Sequence, residues 1–253
     1  MDKGIGFNRT ITLKWLNAAA NLRSQTDDLA TLRQGLEKVL IVDMQGVDAR
    51  RKTIDVLMNI WAKASEVSPS LHAAALELLP EISEPQRVWL HYGLTLVYFP
   101  FFRQTTAIIG QTARLRETFT RQMIKDRLAG EIGHFGSLNR SAERVMASLV
   151  DWNILIQQNK NENKLVVPPL TIEQFGVQSW LLACALFSHP ANELPFTDLI
   201  NLPELFPFRF TITLDDLRRN NLFIIQRQGG WEMVRLKESK SNTRLRFPPL
   251  RKP

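Results

Sequence analysis

Asn139, Arg140, Ser141 and Arg144 open a segment whose apolar positions, Ala142, Val145, Met146, Leu149 and Val150, recur at helical spacing. A helix that exposes such residues in its first turns can read a nucleic acid. The arginine fork matches the acceptor edge of guanine, and the asparagine amide matches adenine. Arg121 and Lys125 precede the segment on another helical stretch, and Lys160 and Lys164 follow it in a hairpin-like stretch. Ammonium and guanidinium groups so placed would meet phosphates, which position a protein on DNA without reading its sequence. Arg244 and Arg246 add cations near the C-terminal end.

No constellation points to catalysis. His72, His91, His134 and His189 are scattered, with no metal-ligand spacing. His91 lies in a mostly apolar stretch and reads as a core histidine. The glycines of residues 130–136 neither follow a strand nor end in the GK[ST] of a phosphate-binding loop. Cys184 sits among Leu181, Leu182, Ala185 and Leu186, which suits a buried inert thiol. The pairs Asp27-Asp28 and Asp215-Asp216 are adjacent. On a helix they diverge by about 100°, so they read as helix starts rather than catalytic dyads. The reading calls for no metal and no cofactor.

The elements that would position these residues follow from periodicity and breakers. Residues 10–102 are helical almost throughout, with Pro69 opening a helix, Pro80 and Pro85 as punctuation, and Pro100 kinking or ending another. Residues 103–168 read as three helices and a β-hairpin. The first helix carries Ala107 to Phe119, the second spans 120–129, and the third runs to about Trp152. The strands are 154–158 and 164–167, closed by Pro168 and Pro169. That is the order of a winged helix-turn-helix, whose third helix enters the major groove. A more degenerate copy follows at 169–236. It has a helix from Thr171 to Phe187, a short one over 194–200, a third ending at Asn220, and a hairpin turning on Gly229-Gly230. The fold class expected is therefore mainly α. An N-terminal helical bundle (1–102) precedes two winged helix-turn-helix-like units with short hairpins (103–168 and 169–236) and a basic flexible tail (237–253).

Charge follows this division. The 253-residue chain carries a formal net charge of +7, yet residues 1–100 are neutral. Residues 101–168 hold +4, residues 169–236 hold −2 and residues 237–253 hold +5. Clustered positive charge attracts polyanions. The acidic balance of the second unit suits a protein partner better, although Arg218, Arg219 and Arg227 would form a local basic spot. With 44% hydrophobic residues the chain can bury a core without disulfides. One cysteine fits a reducing compartment. The stretches 88–102 and 174–192 are too short or too diluted with polar residues to span a bilayer. A soluble cytoplasmic protein is expected.

Several segments together resemble the BrxA family of bacterial BREX phage-defence systems. They are Thr12-Leu13-Lys14-Trp15-Leu16, Ala49-Arg50-Arg51-Lys52-Thr53 leading to Leu57 and Trp61, residues 98–103 (Tyr98-Phe99-Pro100-Phe101-Phe102-Arg103), and Ala142 to Trp152. The resemblance covers residues 10–168 in organisation. It implies a non-enzymatic, DNA-binding accessory component of phage defence, working beside other defence proteins, and it supplies no catalytic residues. The expected partner is double-stranded DNA, bound through Asn139, Arg140, Ser141 and Arg144. Arg121, Lys125, Lys160, Lys164, Arg244 and Arg246 would lie on phosphates. The competing readings are a scaffold whose winged units dock onto other subunits, or a transcriptional regulator.

Overall fold

Capping residues set the helix boundaries in the first half of the chain. The computed structural model describes residues 6–133, 136–157 and 164–237. Thr12 accepts a hydrogen bond from the Trp15 N–H at 3.3 Å and starts α1 (Leu13–Arg23). Asp28 accepts from the Thr31 N–H at 2.8 Å and starts α2 (Leu29–Asp43), as its position before the Leu29-Leu32-Leu36-Leu40 stripe predicts. After α3 (Val47–Trp61) and the short α4 (Ala64–Val67), Pro69 opens α5 (Pro69–Leu78) at a position that needs no N–H. Two 3₁₀ turns, Leu79–Glu81 and Glu84–Arg87, lead into α6 (Val88–Tyr98). Every residue of α6 except Tyr98 is buried, so it is the central helix of the bundle. Pro100 ends α6 by opening α7 (Pro100–Leu115) rather than by kinking one long helix.

The next elements are β1 (Phe119–Thr120), α8 (Arg121–Ile132), α9 (Leu138–Asp151), β2 (Ile156–Gln157) and β3 (Lys164–Val166). They form an antiparallel sheet of order β1-β3-β2, with Phe119 opposite Leu165 and Ile156 opposite Val166. Phe119 corrects the sequence reading, which put it at the end of a helix. The helix stops at Leu115, and Phe119 enters the sheet with its side chain 2% exposed.

The same connectivity then recurs. It comprises α10 (Phe175–Ser188), β4 (Glu193–Pro195), α11 (Phe196–Leu199), a 3₁₀ turn at Pro203–Leu205, α12 (Leu214–Arg219), β5 (Phe223–Gln228) and β6 (Trp231–Leu236). Its strand order, β4-β6-β5, matches that of the first sheet. Gly229 and Gly230 make the turn with φ of 57° and 86°, the left-handed conformation that favours glycine. Two readings shift here. The first helix starts at Phe175 rather than Thr171, and residues 193–195 form a strand where a helix was expected. The architecture is mainly α, with two small three-stranded sheets.

One hydrophobic core runs through bundle and repeats alike. Gly93 on α6 lets Trp180 of α10 lie directly on the helix backbone. The Trp180 indole N–H donates to the Leu71 carbonyl at 2.8 Å. Trp89 packs on Phe208 with ring centroids 4.5 Å apart, and the Tyr92 hydroxyl donates to the Glu204 carbonyl. Glu204, 2% exposed, pairs with Arg103 at 3.3 Å. A buried polar chain crosses the bundle as well. Trp61 Nε1 donates to His91 Nδ1 at 3.0 Å, and His91 Nε2 donates to Asn17 Oδ1 at 2.8 Å. Asn17 Nδ2 in turn donates to Glu84 at 3.1 Å. Among the described residues, no helix is long and apolar enough to cross a membrane.

Candidate nucleic-acid interface

α9 owes its orientation to a buried stripe of Leu138, Ser141, Ala142, Val145, Met146, Ser148 and Leu149. The opposite face presents Asn139, Arg140 and Arg144 to solvent. Arg140 and Arg144 are one turn apart and share a face. Neither forms an ion pair among the described residues. α8 lies against α9 and ends at Gly133, whose φ of 81° turns the chain toward the next helix.

Ser141 requires a correction. It was expected in the groove, but it is 3% exposed and belongs to the buried stripe. Its spacing from Leu138 and Val145, three and four residues, puts it on the inward face, where its small side chain fits. Arg121 and Lys125 project from α8 onto α9 and meet Glu143 at 3.3 and 2.8 Å. Burial alone would raise the Glu143 carboxyl. The hydrogen bonds and charge of Lys125 and Arg121 outweigh it and hold the group below the usual carboxylate range. These two cations are therefore already engaged, and only partly exposed. Arg140 and Arg144, by contrast, are left without a carboxylate partner among the described residues. Lys164 lies in β3 opposite Thr120. Lys160, Arg244 and Arg246 fall outside the described residues, as does His134.

The N-terminal segment is a feature that the sequence reading missed. Phe7 and Ile11 are fully buried, and the chain between Thr10 and Leu13 runs along α9. Arg144 Nη1 donates to Thr10 Oγ1 at 3.3 Å, and the Ile11 N–H donates to Ser148 Oγ at 2.8 Å. The Leu13 N–H donates to Asp151 Oδ1 at 2.6 Å, and Trp152 Nε1 donates to the Ile11 carbonyl at 2.8 Å. The segment covers Ser148 and Asp151 on the last two turns of α9, and Arg144 touches its edge at Thr10 while staying exposed. The free part of α9 is its first two turns. The only signal in the sequence was two apolar residues, Phe7 and Ile11, with nothing to say which element they met.

The second unit offers less positive charge. Arg218 is held by Asp215 at 2.7 Å and by Glu232 at 3.1 Å, and Arg227 stands opposite Glu232 in the hairpin. Its exposed feature is Trp231, 60% exposed at the end of the hairpin. Elsewhere His91 is fully buried and Cys184 lies against α6, where burial pushes its thiol well above the ordinary range. Among the described residues, no group of three or more His, Cys, Asp or Glu side chains is arranged to hold a metal ion.

No protein-family model matches the chain, and neither does any curated protein or solved structure.

Proposed function

We propose that the chain is a DNA-binding protein that carries no chemistry of its own. The first two turns of α9 would enter the major groove with Asn139, Arg140 and Arg144, while the β2–β3 hairpin approaches the flanking backbone. The observation that carries this reading is the pair of exposed, unneutralised arginines one turn apart on α9. They sit on a unit whose order of two helices followed by paired strands suits a winged helix-turn-helix. Groove contacts would give modest selectivity, and phosphates most of the affinity. A role as an accessory component of phage defence is the setting that the BrxA-like segments suggest. Trp231 favours a second role for the other repeat, docking onto a protein partner.

The test is duplex binding across a salt series, with wild type, Arg140→Ala/Arg144→Ala and a chain ending at Leu236. A bidentate pairing of arginine with a base is worth about 1–3 kcal/mol. The double variant should therefore bind weakly at every salt concentration. The truncated chain should keep sequence preference and lose part of the salt slope. Duplex binding that is absent at low salt, or that the double variant leaves unchanged, sinks the groove assignment.

A further inference from the structure

A cleft of about 600 Å³ lies between the C-terminal end of α7 and the chain that joins α11 to α12. Arg114, Arg116 and Arg209 line it, all three exposed. Arg33, Arg51 and Arg218, also exposed, are each neutralised by a carboxylate. Like Arg140 and Arg144, the three arginines of the cleft are not. Arg114 donates to the Asn201 carbonyl and Arg209 to the Phe206 carbonyl at 3.3 Å. A neutral carbonyl orients a guanidinium without cancelling its charge. None of the three forms an ion pair among the described residues, and Glu117 is the single carboxylate in the lining. The floor is apolar, with Phe206 and Phe208 almost wholly buried beneath it. The volume falls within the roughly 300–1,000 Å³ of small-ligand sites.

We propose that this cleft binds a nucleoside polyphosphate, with the phosphates on the arginines and the base on the apolar floor. Arginine's planar fork pairs with phosphate oxygens through two parallel hydrogen bonds. A flat heterocycle is the natural occupant of the apolar part, which a bare anion would leave wet. The site is separate from α9, so it stands or falls independently of the DNA reading.

The experiment is titration calorimetry on the full chain with ATP in EDTA, tripolyphosphate and adenosine. The variants are Arg116→Ala/Arg209→Ala and, for comparison, Arg140→Ala/Arg144→Ala. Arg116 and Arg209 are exposed, so folding should survive, and circular dichroism checks it. ATP should bind, and more tightly than either tripolyphosphate or adenosine. The cleft variant should lose about tenfold or more in affinity for each guanidinium removed. The α9 variant should bind ATP like wild type. The proposal is overturned if millimolar ATP gives no binding or if the cleft variant binds it normally. Tripolyphosphate binding as tightly as ATP would also overturn it, since the cleft would then be an anion sink only. So would loss of ATP binding in the α9 variant.

Discussion

The hydrogen bonds of His91 fix both its tautomer and its charge. An indole N–H can only donate, so the bond from Trp61 makes Nδ1 an acceptor and leaves the proton on Nε2, which donates to Asn17. Burial, and after it the nearby charge of Arg87, lowers the pKa from an ordinary 6.5 to about 3. His72 is lowered in the same direction, again chiefly by burial. The consequence for stability has a definite sign. Below pH 6.5 the unfolded chain takes up a proton at position 91 that the folded chain refuses. Stability from this group is therefore complete above that pH and falls by about 1.4 kcal/mol per pH unit on acidification, until about pH 3. Urea denaturation at pH 7, 6, 5 and 4 should show this decline, and His91→Gln should flatten it while lowering stability at pH 7. Equal slopes in the two proteins would mean that other groups control the acid limb. At this scale the sequence was informative: an isolated histidine in an apolar stretch read as core, and it is. The exposed face of α9 was legible for Asn139, Arg140 and Arg144, because they lie opposite the apolar stripe. It was misread for Ser141, whose polarity outweighed its spacing.

Close approach between elements depends on two glycines. A Cβ added at Gly93 would lie 2.4 Å from the Trp180 ring. One added at Gly110 of α7 would lie 1.9 Å from the Pro203 carbonyl oxygen. A ring can shift slightly, whereas a backbone carbonyl in a packed 3₁₀ turn cannot without moving that turn. Gly93→Ala should therefore cost about 1–3 kcal/mol, and Gly110→Ala at least as much. Gly130 is the contrast. It is exposed in α8, and a Cβ there meets nothing within 4 Å. Gly130→Ala should stabilise by up to about 1 kcal/mol through helix propensity alone. Urea midpoints of the three variants test the ordering, and a stabilising Gly93→Ala would refute the packing argument. Local signals made most helices legible, since the caps at Asp28 and Thr120 and the prolines at 69 and 100 act on their own neighbours. The strands β1 and β4 were not legible for the opposite reason. Phe119-Thr120 and Glu193-Leu194-Pro195 are strands only because β3 and β6 lie beside them, and no local residue encodes that.

Taken as a whole, the molecule does not divide where its composition does. Charge and pattern suggest a bundle ending at residue 102 and separate units after it. Yet Ile11 and Leu13 are bonded to α9, Leu71 to Trp180, and Tyr92 to the backbone at Glu204. Each of these contacts joins residues far apart in sequence, which is why periodicity along the chain missed them. Phe7, Ile11 and Trp152 bury one continuous surface shared by the N-terminal segment and the first repeat. Cut out at 103–168, that repeat would expose Trp152 and lose the partners of Ser148 and Asp151. The expected behaviour is therefore a single cooperative transition for the whole chain. Tryptophan fluorescence and far-ultraviolet circular dichroism should trace the same urea curve, because the six tryptophans are spread through bundle and repeats. The isolated segment 103–168 should lack dispersed amide resonances in solution. A well-folded segment, or two separated transitions in the full chain, would show that the first repeat is an autonomous domain. The N-terminal segment would then be a removable cover on α9 rather than part of what holds that helix in place.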